Sequence, residues 1–276
     1  MTEPSDNVRE HYQAAIGDRA RLLDKIKDMF DAMGGGPVSA AQLAGLDQFH
    51  FGGLAATREL ARRADVAEGS SVLDAGSGLG GPSRYLAETF HCDVTGVDLA
   101  PDYVAIASLL AERAGLAEKV RYHVGDLIHL PFEGASFDLV WTQHVVMNIR
   151  DRDGLYRELR RVLKPGAKFA FYDVLAGDSG EPPHYPVPWA ETPDVSTLLT
   201  ETETRTALAS AGLHLTMWDD VTEEAFKWLS QQQQSVPLAV GPSMVVGPRM
   251  AGMVANFGRN LKEGRTRLVM GVCEAN

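Results

Sequence analysis

Three carboxylates stand at the ends of three successive apolar runs. They are Asp74 in Ser71-Val72-Leu73-Asp74-Ala75, Asp98 in Gly96-Val97-Asp98-Leu99 and Asp126 in Val124-Gly125-Asp126-Leu127. Between the first two lies Gly76-Ser77-Gly78-Leu79-Gly80-Gly81, in which Gly76, Gly78 and Gly81 satisfy the spacing G-x-G-x-x-G. Glycines at such a loop let the backbone approach a ligand closely. Asp98 falls where a carboxylate accepts hydrogen bonds from both hydroxyls of a ribose. The loop alone fits a NAD-dependent reductase equally well. Asp74 separates the two readings, because two residues before the first glycine it would repel a pyrophosphate and suit an ammonium. A ribose ligand with an α-ammonium, a sulfonium and no phosphate is S-adenosylmethionine. In that reading Asp74, Gly76, Ser77 and Gly78 hold one end of it, Asp98 and Leu99 the ribose, and Asp126 and Leu127 the adenine. Gln143 completes the set from a fourth strand end. Any one acid reads equally as a surface turn residue; three in register with the loop do not.

Methyl transfer from such a donor is an in-line displacement that needs alignment and exclusion of water. A base is needed only for an acceptor that arrives protonated. Three candidates are legible: His144, directly after Gln143; His50, in Asp47-Gln48-Phe49-His50-Phe51; and Tyr12, in Glu10-His11-Tyr12. Each reads alternatively as a structural hydrogen bonder or a packed ring. A base role for His144 implies a rate that depends on pH near the ordinary imidazole range. The His and Cys residues show no metal-ligand spacing, and no nucleophilic triad is apparent.

Alternating strand and helix patterns must place these groups. Strands are expected at 71–75, 94–98, 120–124, 137–143, 168–174, 213–218 and 267–273, with helices over 82–90, 101–114 and 201–211. Leu155, Leu159, Val162 and Leu163 mark one face of a further helix, which should stop at Lys164-Pro165-Gly166. The result is an α/β fold: a Rossmann-like, seven-stranded, mostly parallel sheet with helices on both faces. Ahead of it, 8–33 and 51–64 read as helices joined through Gly34-Gly35-Gly36-Pro37, so residues 1–65 are expected to form N-terminal lid and approach helices. Residues 66–276 form the ligand-binding domain. Two insertions, about 177–200 and 223–264, should cap the sheet. Tyr185, Trp189, Met244, Val245, Met250 and Met253 would line a mostly apolar acceptor cavity, with an aromatic cage for a quaternary ammonium conceivable. The same residues read alternatively as cap-to-sheet core or as a homodimer contact.

The run 72–81 resembles motif I of class I S-adenosylmethionine-dependent methyltransferases. Gly96-Val97-Asp98-Leu99 resembles the acidic motif that follows it. Gly125-Asp126-Leu127 with Leu130-Pro131-Phe132, and then Phe137-Asp138-Leu139-Val140, are similar to the adenine and strand-four motifs, and 161–166 to the turn beyond them. The resemblance is strong over about 68–175 and looser from 47 onward. Its nearest patterns are small-molecule enzymes, among them the quinone-biosynthesis and sarcosine/dimethylglycine methyltransferases. It implies methyl transfer to an N, O or C atom of a small acceptor. A cyclase or binding protein that keeps the cofactor without methylating is the alternative. Many relatives carry a His near the end of the strand-four loop; here Asn148 stands there and His144 four residues earlier. The catalytic His of the phosphoethanolamine group therefore has no counterpart by position.

Bulk properties exclude other classes. A net charge of −11 over 276 residues repels nucleic acid and anionic membranes. The Arg157, Arg160, Arg161, Lys164 cluster reads as the solvated face of a helix. The N-terminus lacks a signal-peptide pattern, and no run is long and apolar enough to span a bilayer. Cys92 and Cys273 are too few and too far apart for a disulfide framework, so a reducing, cytoplasmic setting is expected.

Overall fold

The seven expected strands form one sheet in the order β3-β2-β1-β4-β5-β7-β6. The structure is a computed structural model and describes residues 8–10, 19–32, 34, 36, 38–232 and 249–276. Strands β1 (Ser71–Ala75), β2 (Asp93–Asp98), β3 (Val120–Val124), β4 (Phe137–Gln143) and β5 (Leu163–Ala176) run parallel. β7 (Thr266–Ala275) inserts antiparallel between β5 and β6 (Leu213–Asp220).

The helices are α1 (Arg19–Ala32), α2 (Ala40–Asp47), α3 (Gly53–Ala64), α4 (Gly81–Phe90), α5 (Pro101–Arg113), α6 (Arg152–Val162), α7 (Glu201–Ser210), α8 (Thr222–Gln232) and α9 (Met250–Lys262). Strand residues alternate between faces. Val72 and Trp141 face the layer that holds α3, α4 and α9, whereas Leu73 and Val140 face α6 and α7. Leu22, Ile26 and Phe30 of α1 and Leu43 and Leu46 of α2 pack on Tyr103, Ile106 and Leu110 of α5, which ties the N-terminal helices to the sheet.

Three details differ from the sequence reading. α2 was not anticipated, although Ser39 and Gln42 form a reciprocal capping box at its start. The helix expected to stop at Lys164 ends at Val162, and β5 begins at once: Pro165 disfavours helical geometry at the preceding residue, and Leu163 is already extended. The second insertion contains α8 and α9, for which no helix was named in advance; residues 233–248 between them, including Met244 and Val245, lie outside the described residues.

Strand order reverses at β1, whose neighbours are β2 on one side and β4 on the other. A crevice beyond the carboxyl ends of the strands at such a reversal is where open α/β sheets bind ligands.

Candidate active site

A cavity of ≈ 420 Å³ opens over the ends of β1, β2 and β4. The glycine loop forms its floor. Gly76 and Ser77 donate backbone N–H groups to the Val97 carbonyl at 2.8 and 3.0 Å, which folds the loop back on β2. Gly76 has φ +81°, and a Cβ there would meet the Val145 side chain at 2.5 Å, so the position admits only glycine. Asp98 buttresses the loop: one carboxylate oxygen accepts from Gly78 N at 2.8 Å and the other from Ala100 N at 2.9 Å. Each oxygen keeps a second lone pair for a ligand hydroxyl.

Asp74 is buried at the end of β1 and accepts a short hydrogen bond from the Ser83 hydroxyl. Burial pushes its carboxyl up to about 7, against that hydrogen bond and with the charge of Asp98 adding to the rise. A cation placed beside it would restore the ionised form. Asp126 accepts from Ile128 N at 3.2 Å, and Leu127 packs into the core beneath the cavity wall. All nine residues expected to hold the cofactor line this one cavity: Asp74, Gly76, Ser77, Gly78, Asp98, Leu99, Asp126, Leu127 and Gln143.

Sequence reasoning missed Arg84. Its guanidinium is wholly buried behind the loop, donating to Asp47 Oδ2 at 2.7 Å and to the Leu79 carbonyl at 2.6 Å from the same nitrogen. The other terminal nitrogen reaches Ala107 O and Tyr122 Oη, each at 3.2 Å. One side chain therefore fastens the end of α2, the glycine loop and α5 together. Burial lifts Asp47 to about 6 against the charge of Arg84. The available signal was a lone arginine among the apolar positions of α4.

The end of β4 is held by a second polar cluster. Gln143 Oε1 accepts from Trp141 Nε1 at 3.0 Å and lies 3.2 Å from Thr57 Oγ1. An indole N–H only donates, so this contact fixes the orientation of the Gln143 amide. Its Nε2 is left buried and without a partner among the described residues, and Ser77 Oγ, across the loop, is in the same condition. His50, from the approach segment, is buried on the cavity wall with Nε2 3.0 Å from the Gly53 carbonyl. His144 lies edge-on to it, ring centroids 6.1 Å apart, and takes φ +53°, a strained value for a residue with a side chain. Its N–H donates to Tyr172 O at 2.7 Å, while the buried Asp173 accepts from Val145 N at 3.1 Å and holds the next residue.

Burial lowers His50 to about 4, and burial plus the neighbouring His50 takes His144 well below the usual imidazole value. Both rings are neutral throughout the physiological range. This corrects the expectation that His144 titrates near its ordinary value; low polarity around the ring, which the sequence does not reveal, is the reason.

Of the expected acceptor residues, Trp189, Met250 and Met253 line the cavity, with Phe49, Phe51, Met147 and Pro188 beside them. Tyr185 instead packs against the core below, and Tyr12 lies outside the described residues. Asn148 donates to the carbonyls of Trp189 and Val195, at 2.8 Å each, and so joins the strand-four loop to the first insertion. Arg157 and Arg161 are exposed along α6, and Cys92 and Cys273 are buried and unpaired. Among the described residues no group of three His, Cys, Asp or Glu is placed to hold a metal ion. Within the same limits no helix is long and apolar enough to cross a membrane.

Residues 73–171 match the methyltransferase-domain family. The sterol 24-C-methyltransferase erg6 of Aspergillus fumigatus is 33% identical over 176 residues, 61% of this chain and 47% of that protein. The chain spans from 27% to 61% of the length of the curated relatives it matches. A geranyl diphosphate C-methyltransferase from Streptomyces coelicolor A3(2), solved with S-adenosyl-L-homocysteine, shares the fold at TM-score 0.74 and 18% identity, covering 100% of this chain and 99% of that one. The [4+2]-cyclase SpnF shares it at TM-score 0.66 and 23% identity, covering 98% of this chain and 96% of that one. The match to the methyltransferase-domain family lies over the central strands, and the seven-stranded sheet built around them has the fold of these solved methyltransferases and of the cyclase.

Proposed function

We propose that the protein binds S-adenosylmethionine in this cavity and transfers its methyl group to a small, largely apolar acceptor. The observation that carries the proposal is the buried carboxylate of Asp74 at the end of β1, on the wall of the cavity and beside the glycine loop. A nucleotide pyrophosphate would meet this negative group without a countercharge, whereas an α-ammonium supplies one. Gln143 Nε2 and Ser77 Oγ, both buried without partners, suit the polar amino-acid end of the same ligand. Asp98 takes the ribose with its free lone pairs, Leu99 packs beside it, and Asp126 and Leu127 receive the adenine.

The bound donor supplies an activated methyl group on sulfonium sulfur. The chain's own contribution is to hold an acceptor in line and keep water out. Phe49, Phe51, Met147, Trp189 and Met253 give the acceptor side an apolar wall, and His50 and His144 supply its polar groups. Residues 1–65 serve as approach segment and lid over residues 66–276; Asp47, Phe49, His50 and Phe51 on the cavity wall support this division.

Two measurements test the proposal. S-adenosylmethionine should bind in calorimetry and NADH should not displace it. Incubation with an acceptor library and isotopically labelled donor should yield S-adenosylhomocysteine and a product heavier by one methyl group. Saturable binding with no methyl gain in any acceptor would favour the alternative, a cyclase or binding protein that keeps the cofactor.

A further inference from the structure

The hydrogen bonds around His50 fix which of its nitrogens carries the proton. The Gly53 carbonyl, 3.0 Å from Nε2, can only accept, so in the neutral ring Nε2 holds the hydrogen and Nδ1 is bare. Thr57 Oγ1 lies 3.0 Å from the same Nε2 and donates its one proton to Gln48 Oε1 at 2.8 Å, so it adds no proton to the ring. His50, on the cavity wall, is thus a neutral imidazole whose Nδ1 carries a lone pair.

Among the described residues the wall around it has no carboxylate that lacks a hydrogen-bond donor from the protein. Five carboxylates line the cavity among the described residues, and each is engaged: Asp47 with Arg84, Asp74 with Ser83, Asp98 with two backbone N–H groups, Asp126 with Ile128 N and Asp151 with Gly154 N. Among the described residues an aromatic cage for a cation is not formed either. Phe51 is stacked on Phe257 at 4.1 Å, and Trp189 is 2% exposed with its edge toward the same ring. Among the described residues, an ammonium acceptor would have to share a carboxylate that already accepts from the protein, and would lie against the apolar wall of Phe49, Phe51, Met147 and Trp189.

We infer that the acceptor is a neutral hydroxyl compound of the phenol or enol class with an apolar body, its O–H seated on His50 Nδ1, and that the product is a methyl ether. The inference rests on the methyl-transfer reading above. The acceptor oxygen forms the new O–CH3 bond with one of its lone pairs, and the electrons of the broken S–CH3 bond stay on sulfur. The hydroxyl proton passes to His50 Nδ1 and leaves to water when the product departs, so one positive charge is conserved throughout. A base held near 4 does not ionise the hydroxyl in advance; it collects the proton as the oxygen becomes strongly acidic on methylation.

The test is equilibrium titration of the full chain in the presence of S-adenosylhomocysteine. The probes are 1-naphthol, a size-graded panel of other phenols, naphthalene, and 1-naphthyltrimethylammonium. At least one phenol should bind about fivefold more tightly than its hydrocarbon, as one hydrogen bond allows, and the ammonium compound should bind most weakly. His50→Gln keeps a donor at the Nε2 position and removes the Nδ1 lone pair. It should abolish the phenol preference while S-adenosylhomocysteine affinity stays within about twofold. Mass spectrometry of labelled products should place the methyl on oxygen. A preference for the ammonium compound, the absence of phenol binding across the panel, or an undiminished preference in His50→Gln would overturn the inference. Failure of S-adenosylhomocysteine to bind is a separate result that removes the underlying methyl-transfer reading.

Discussion

The Asp47 carboxylate and the Arg84 guanidinium meet at 2.7 Å with neither side chain reached by solvent. They join the segment before the sheet to the helix that follows the glycine loop. Removing one partner strands the other charge in the interior, at a cost of about 3–5 kcal/mol. Arg84→Met should therefore lower the melting temperature by roughly 10 °C, measured by calorimetry. The double variant Arg84→Met/Asp47→Leu should recover most of the loss. A single variant as stable as the parent would mean that the pair contributes little.

Asp98→Ala should weaken S-adenosylmethionine binding at least tenfold. The ribose hydroxyls lose a charged acceptor, worth roughly 1.5–3 kcal/mol, and Gly78 N and Ala100 N lose theirs. Isothermal calorimetry on the folded variant is the check, and unchanged affinity would remove Asp98 from the ribose site.

Cofactor affinity should fall as pH drops below about 7, because the Asp74 carboxyl must ionise to meet an ammonium and burial holds it up to about 7. Well below that value the loss approaches tenfold per pH unit. Binding at pH 6 should release a proton, seen as a buffer-dependent heat. In the free protein the same shift has the opposite sense. The folded state keeps a proton that the unfolded chain loses above 3.8, so this contribution to stability is full below that value and lost as pH rises through about 7. Asp74→Asn should abolish the binding dependence, remove this group's share of the stability dependence, and bind cofactor weakly at every pH.

His144→Ala should lower kcat by about tenfold to hundredfold, as misplacement of a bound acceptor does, with cofactor affinity little changed. In the parent, both imidazoles are held neutral by burial, so their titration should leave kcat flat between about pH 6 and 8. A sharp inflection near the ordinary imidazole value, absent from the variant, would show that His144 titrates in the open.

Amide exchange should slow in α1 and in residues 38–50 when S-adenosylhomocysteine is added, since Asp47, Phe49 and His50 lie on the cavity wall. Full protection without ligand would make the segment fixed scaffold rather than a lid.

The strand ends and the glycine loop were legible because their signals are local. Asp74, Asp98 and Asp126 each follow a short apolar run, and the sheet needs only the order of those runs to gather them. Contacts across long sequence separations were not. Nothing in the sequence near Arg84 points to Asp47, and the Gln48–Thr57–Gln143 cluster joins three segments. The neutrality of His50 and His144 was equally hidden, because it depends on how much apolar material surrounds each ring. The α2 helix was a missed local signal: Ser39 with Gln42 three residues on announces it.

The position of β7 carries a consequence for biosynthesis. β6 precedes β7 in the chain but reaches the sheet only through it. As the polypeptide leaves the ribosome, β6 emerges without a neighbour, and the free edge of β5 waits with it until Thr266–Ala275 arrives. During that interval two unsatisfied strand edges, one of them beside Phe169 and Phe171, are open templates for pairing with other nascent chains. Translation that pauses between Asp220 and Thr266 prolongs this exposure. Slow synthesis over that stretch should therefore cost soluble yield, and chaperones that shelter exposed strand edges should restore it.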